Sequence, residues 1–128
     1  MKAPYKNVMR NSGRNFSYAF RTYFYEKCRG ACEYCGSSIE SKSDMSIDHI
    51  VPRTAGGTHE VSNLRAACSS CNTSKGNRDV EYLRAVLRLR ASVLDGIITP
   101  NQLRILEEVG ASLPVPGTFV FAFERGLS

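Results

Sequence analysis

Apolar positions recur at helical spacing at both ends of the chain and lose that spacing in between. Phe16, Phe20 and Tyr23 or Phe24 fall at i, i+4 and i+7/8, with Lys27 at i+11, which predicts an aromatic helix opening at Asn15 as N-cap. Helical spacing is what burial requires, so these rings are expected in the core rather than stacked on bases. A longer stripe of Val80, Leu83, Val86, Leu87, Ala91 and Leu94 follows Asp79, a good N-cap, and stops at Asp95-Gly96. Thr99-Pro100-Asn101-Gln102 then spells a capping box with proline at the first helical position, and Gly110 supplies the stop of a second, shorter helix. Phe119, Phe121 and Phe123 alternate with Val120 and Ala122, predicting one strand or an extended packing segment.

Between Cys28 and Lys75 the pattern dissolves into Gly, Ser, Asn and Cys, and only Met45–Val51 and Leu64–Ala67 could be strands. That middle third cannot build a large apolar core. A chain of 128 residues has room for one compact domain and an accessory segment, and 42% hydrophobic with 23% charged residues is an ordinary globular balance. No apolar run approaches the roughly 18 residues a membrane helix needs, so no membrane partner is expected. Residues 1–8 contain no apolar signal stretch, which places the chain, as an expectation, in a reducing cytoplasm.

Charge changes the picture at the N-terminus. Seventeen cations against twelve anions give +5. Residues 1–31 alone hold seven cations (Lys2, Lys6, Arg10, Arg14, Arg21, Lys27, Arg29) and one anion, Glu26, so the remainder is near neutral. Such asymmetry suits a polyanion, either nucleic acid or an anionic membrane surface. Residues 1–14, with Pro4, Asn11, Ser12 and Gly13 among four cations, are expected to be a flexible arm that orders on its partner.

Five cysteines in a reducing compartment do not make a disulfide framework, and an odd count weakens that reading further. Cys32-Glu33-Tyr34-Cys35 and Cys68-Ser69-Ser70-Cys71 are two C-x-x-C pairs, each able to give two thiolates to one tetrahedral zinc. One such pair alone could be a redox site, but the duplicate favours four ligands. Cys28 is left as a thiol at the end of the aromatic helix. The spacing between the pairs is longer than in an ordinary zinc ribbon, so something is inserted between the knuckles.

The insertion carries Asp48-His49-Ile50-Val51-Pro52, then Gly56-Gly57, then Asn63-Leu64, and the second knuckle runs on as Cys71-Asn72-Thr73-Ser74-Lys75-Gly76. This order resembles the HNH endonuclease family in its zinc-bearing form, with Asn72 where the literal motif has histidine. The resemblance implies a ββα-metal unit: two short antiparallel strands, a loop and a helix around one catalytic divalent cation. It further implies that Asp48 and Asn72 ligate that cation, that His49 activates water, and that Asn63 braces the loop carrying His49. Imidazole titrates near neutrality, which independently makes His49 a credible base. His59, beside the Gly-Gly turn, is read as surface. A carboxylate plus an amide oxygen suits Mg²⁺ or Mn²⁺ better than Zn²⁺, so two separate metals are expected. Neighbours on a regular strand face opposite ways, so Asp48 and His49 also imply a bulge or a strand end.

The expected fold is therefore small α+β: a ββα-metal core with a four-cysteine structural zinc at residues 15–78, an aromatic helix opening it, and C-terminal helices at 79–128 packing on it. The expected function is metal-dependent hydrolysis of DNA, by a nuclease of a bacterial cell or a phage-infected host. Lys2, Lys6, Arg10, Arg14, Arg53, Arg65 and Lys75 are the candidate phosphate contacts. Two other readings stay open: a non-catalytic zinc module that binds nucleic acid, and an accessory subunit of a phage packaging machine that docks a protein through residues 79–128. The joint presence of Asp48, His49, Asn63 and Asn72 favours catalysis, since pure binding needs none of those identities together.

Overall fold

The computed structural model describes residues 9–10 and 15–125. Lys2, Lys6 and Arg14 of the expected arm lie outside them. Met9–Arg10 (β1) pairs antiparallel with Asn15–Phe16 (β2). The helix α1 then runs Tyr18–Lys27, capped by Ser17, whose hydroxyl accepts from the Phe20 amide at 3.1 Å. The cap is thus two residues later than Asn15, which pairs in β2 instead. Phe20 and Phe24 are fully buried, and Phe16 stacks on Phe20 from just outside the helix, centroids 5.5 Å apart. The aromatic face is core, as its spacing predicts.

The hairpin comprises Ser46–His49 (β3) and Leu64–Ala67 (β4), antiparallel with Asp48 opposite Arg65 and His49 opposite Leu64. Its ladder is regular, without a bulge, and β3 simply ends at His49. Beyond it, the Ile50 amide donates to the Asn63 carbonyl at 2.8 Å, and a loop with 3-10 turns at Arg53–Ala55 and Val61–Asn63 spans the gap. Gly57 is required there, because a Cβ would sit 1.7 Å from the Val51 carbonyl oxygen. Ser69–Lys75 (α2) follows β4 directly, closing a ββα unit.

Val80–Arg90 (α3) is capped by the Asp79 carboxylate, which accepts from the Tyr82 amide at 2.8 Å. It stops at Arg90, one turn short of the apolar stripe, and Leu94 packs from the following turn. Pro100–Glu108 (α4) begins with the complete capping box at Thr99 and Gln102. Ala85, Leu89 and Leu103 form a small second core between these helices. The last aromatic segment is no strand. Phe121 is fully buried, edge-on to Tyr34 at 5.3 Å, and the amides of Ala122 and Phe123 donate to the carbonyls of Tyr34 and Glu33 at 3.0 and 2.9 Å. A lone segment satisfies its backbone on the first knuckle in place of a sheet.

No helix among the described residues is long and apolar enough to cross a membrane.

Candidate nuclease site and sulfur cluster

Each knuckle folds by pointing backbone amides at its first sulfur. Cys32 Sγ accepts from the amides of Tyr34 and Cys35 at 3.4 and 3.5 Å, and Cys68 Sγ from the Cys71 amide at 3.4 Å. Such donors stabilise thiolate over thiol. The ligand sulfurs of Cys32, Cys35, Cys68 and Cys71 all lie within 4.8 Å of one another, and Cys35 is 3.8 Å from Cys68. Four sulfurs about 2.3 Å from a central tetrahedral ion stand about 3.8 Å apart, so the spacing fits a thiolate-bound metal. Hydrogen bonding between the two sulfurs pulls the Cys32 thiol down and pushes Cys71 up, as befits sulfurs packed closely enough to serve one cation. Cys28 stays outside the cluster, its thiol raised by burial.

Glu33 ties this cluster to the hairpin. Its amide donates to the Ala66 carbonyl at 2.8 Å, and its carboxylate accepts from the Ala66 amide at 2.8 Å. Tyr34, one residue on, is fully buried and donates its hydroxyl to Asp48 Oδ2 at 2.6 Å. Burial and the neighbouring carboxylate push the Tyr34 phenol up, so it remains a donor.

Lys75 also reaches Asp48. Its ammonium lies 3.1 Å from Asp48 Oδ2 and donates to the His49 carbonyl at 2.8 Å, with the side chain fully buried. The expectation of a phosphate contact at Lys75 is therefore corrected: the amine is enclosed by the hairpin and already paired. Its i−3 neighbour on α2, Asn72, is half-buried and lines a shallow cavity with Phe16, Arg21, Ser46 and Ile47. Among the described residues no hydrogen bond joins the Asn72 amide to Asp48 or His49.

Asn63 grips the loop after His49. Its Oδ1 accepts from the Val51 amide at 2.9 Å, and its Nδ2 donates to the carbonyls of Val51 and Thr58 at 3.1 and 2.9 Å. The loop so held returns His59 to His49, with His59 Nδ1 3.0 Å from His49 Nε2. Arg53 contacts His59 Nε2 in turn. Arg53 Nη1 lies near both ring nitrogens of His59, and in the His49–His59 contact one imidazole donates and the other accepts, according to the tautomer. Burial lowers both imidazoles below their ordinary value, and the neighbouring His59 lowers His49 further.

Sequence reasoning missed two of these partners. His59 next to a glycine turn gives no sign of folding back, and Tyr34 sits inside a cysteine pair whose spacing advertises only its two sulfurs. Of the remaining candidates, Arg53 is exposed and engaged with His59, and Arg65 is half-buried over the Phe123 ring at 4.4 Å.

A two-stranded hairpin, a crossing helix and a four-cysteine cluster define a ββα-metal core. Residues 32–78 match the family model described as HNH endonuclease, and this segment is an HNH domain. The chain is 40% identical over 72 residues to the CRISPR-associated endonuclease Cas9 of Corynebacterium diphtheriae, an alignment covering 56% of this chain and 6% of that protein. It is 44% identical over 48 residues to the Cas9 of Actinomyces naeslundii, covering 37% and 4%. A solved structure of the Type II-C Cas9 enzyme from Actinomyces naeslundii superposes with a TM-score of 0.47 at 34% identity, over 52% of this chain and 8% of that one. This chain thus spans only a small fraction of the relatives' length.

Proposed function

We propose that this chain hydrolyses DNA phosphodiester bonds, with His49 as general base and a hard divalent cation, Mg²⁺ or Mn²⁺, held by Asp48 and Asn72. Zn²⁺ would occupy the four cysteines as a structural ion. The observation that carries the reading is the pair of contacts from Lys75, an ion pair to the Asp48 carboxylate and a hydrogen bond to the His49 carbonyl, which fixes both to the helix bearing Asn72. Residues separated along the chain are thereby locked into one unit.

Asp48 commits Oδ2 to Tyr34 and Lys75, which leaves Oδ1 as the oxygen a cation would take. An amide oxygen from Asn72 completes a donor set typical of loosely held hard ions. When bound, such an ion neutralises charge developing on the phosphate and the leaving oxygen. His49 takes the proton of the attacking water at Nε2, the nitrogen that faces His59 Nδ1 at 3.0 Å. Water and His59 therefore compete for that nitrogen, and His59 must yield before hydrolysis. Asn63 keeps the loop in register through that exchange. DNA contacts are assigned to Lys2, Lys6, Arg10, Arg14, Arg53 and Arg65.

Supercoiled plasmid incubated with purified protein and Mg²⁺ or Mn²⁺ tests this. Nicked or linear product is expected from wild type and none from His49→Ala. Equal survival of plasmid with both proteins, across metals and salt concentrations, overturns it.

A further inference from the structure

A second basic site lies beside the first knuckle. A cavity of about 470 Å³ is lined by Lys27 and Arg29 from the end of α1, by Glu33 from the knuckle, by Arg65 from β4 and by Phe123. Its volume is in the range of ordinary ligand sites. Three cations face one carboxylate, and Glu33 already spends an oxygen on the Ala66 amide. None of Lys27, Arg29 and Arg65 forms an ion pair among the described residues.

Cations at the end of α1 could be explained by the helix dipole alone. Arg65 cannot, since it comes from another element. Its guanidinium lies over Phe123, Nη1 donates to the Leu64 carbonyl at 2.9 Å, and Nε is buried without any partner. Nε is enclosed and beyond a ligand's reach, but Nη2 has no partner among the described residues, and a guanidinium edge with that donor free, flanked by two further cations, matches the oxygens of a phosphate.

We infer that the cavity bounded by Lys27, Arg29 and Arg65 is a phosphate-binding site, separate from the His49 centre, that holds a backbone phosphate of a nucleic-acid strand. Arg65 pairs across the hairpin with Asp48, so a strand held here shares the hairpin face that carries the carboxylate. Free phosphate has the same chemistry, and the test separates the two sources.

Binding of a labelled DNA duplex is followed by anisotropy on a His49→Ala background, without added divalent ion, across a salt series. The slope of log affinity against log salt should fall by about 2 to 3 when Lys27→Gln, Arg29→Gln and Arg65→Gln are combined, at roughly 0.9 per lost contact. The Lys27→Gln/Arg29→Gln pair, which leaves the hairpin untouched, should lower it by about 2, and Arg65→Lys should keep the slope while weakening affinity. Removing equal charge elsewhere, with Arg78→Gln/Arg104→Gln, should leave the slope in place. Calorimetric titration of the same proteins with inorganic phosphate forms the second arm. An unchanged DNA slope, with phosphate bound by wild type and lost in the double variant, overturns the nucleic-acid assignment; neither response overturns the site altogether. Cleavage plays no part in the readout, so failure here and failure of the nuclease reading are distinguishable.

Discussion

Around Tyr34 the buried side chains include a lysine, an aspartate, a phenol and two cysteines, whereas between α3 and α4 they are Ala85, Leu89 and Leu103. The first region places polar groups where apolar ones would be cheaper to bury, and it must satisfy each of them by a named partner. The second is an ordinary helix pair, closed at its rim by Arg88, which meets Glu107 through two bonds of 2.8 and 2.6 Å and the Pro116 carbonyl at 2.7 Å. Stability in the HNH segment therefore depends on ligands and ionisation, and in the helical segment on packed volume. The contrast teaches where the chemistry is: the groups that weaken the hairpin as a core are the ones proposed to act on a phosphodiester.

The largest effect should come from breaking the sulfur cluster. Ligation of a thiolate-bound zinc is worth roughly 10–16 kcal/mol in small peptides, comparable to a whole domain's stability. Cys68→Ser should lose bound metal, read by mass spectrometry, and collapse the dispersed amide resonances of residues 32–78. Leu103→Ala, the converse change, should cost about 2–5 kcal/mol in urea unfolding while the metal stays bound. Metal loss in the leucine variant would erase the distinction between the two regions.

Next in size is the Lys75–Asp48 pair. Removing one partner of a buried ion pair leaves the other uncompensated and costs about 3–5 kcal/mol. Lys75→Met should show that loss in denaturant, and Tyr34→Phe, which deletes one hydrogen bond to the same oxygen, about 1–3 kcal/mol. A Lys75→Met protein as stable as wild type would mean the ammonium is not enclosed as described.

Helices and their caps are legible in the sequence because local rules decide them: Asp79, Thr99-Pro100 and the aromatic spacing each specify an element with no help from distant residues. The cysteine cluster is legible because each pair's spacing already sets a knuckle. Boundaries fail where tertiary contacts intervene, as where Asn15 joins a strand pair and Ser17 caps α1. Nothing in a Ser-Lys-Gly run announces burial, so Lys75 reads as a phosphate contact; its enclosure depends on Asp48 and His49, far earlier in the chain. His59 escapes for the same reason. Phe121 packs, but as a loop against Tyr34, since no partner strand completes a ladder with it.

The smallest effect separates the rim of the helical region from its core. Arg88 holds the Glu107 carboxyl below the usual carboxylate range, with the hydrogen bond as the larger cause, and Arg84 does the same for Glu124. A carboxyl whose folded pKa is depressed adds stability at pH above its unfolded value, and that contribution disappears as pH falls through the folded one. Glu107 is partly exposed, so the gain is at most about 1 kcal/mol, equivalent to about 2–4 °C of melting temperature for a chain this size. Glu107→Gln should therefore melt slightly below wild type at neutral pH, and the gap should close between about pH 5 and pH 3 as the wild-type carboxyl protonates. A gap that stays constant over that interval would assign the role of Glu107 to packing against Arg88 rather than to charge, and the rim would then obey the same volume rule as the leucines behind it.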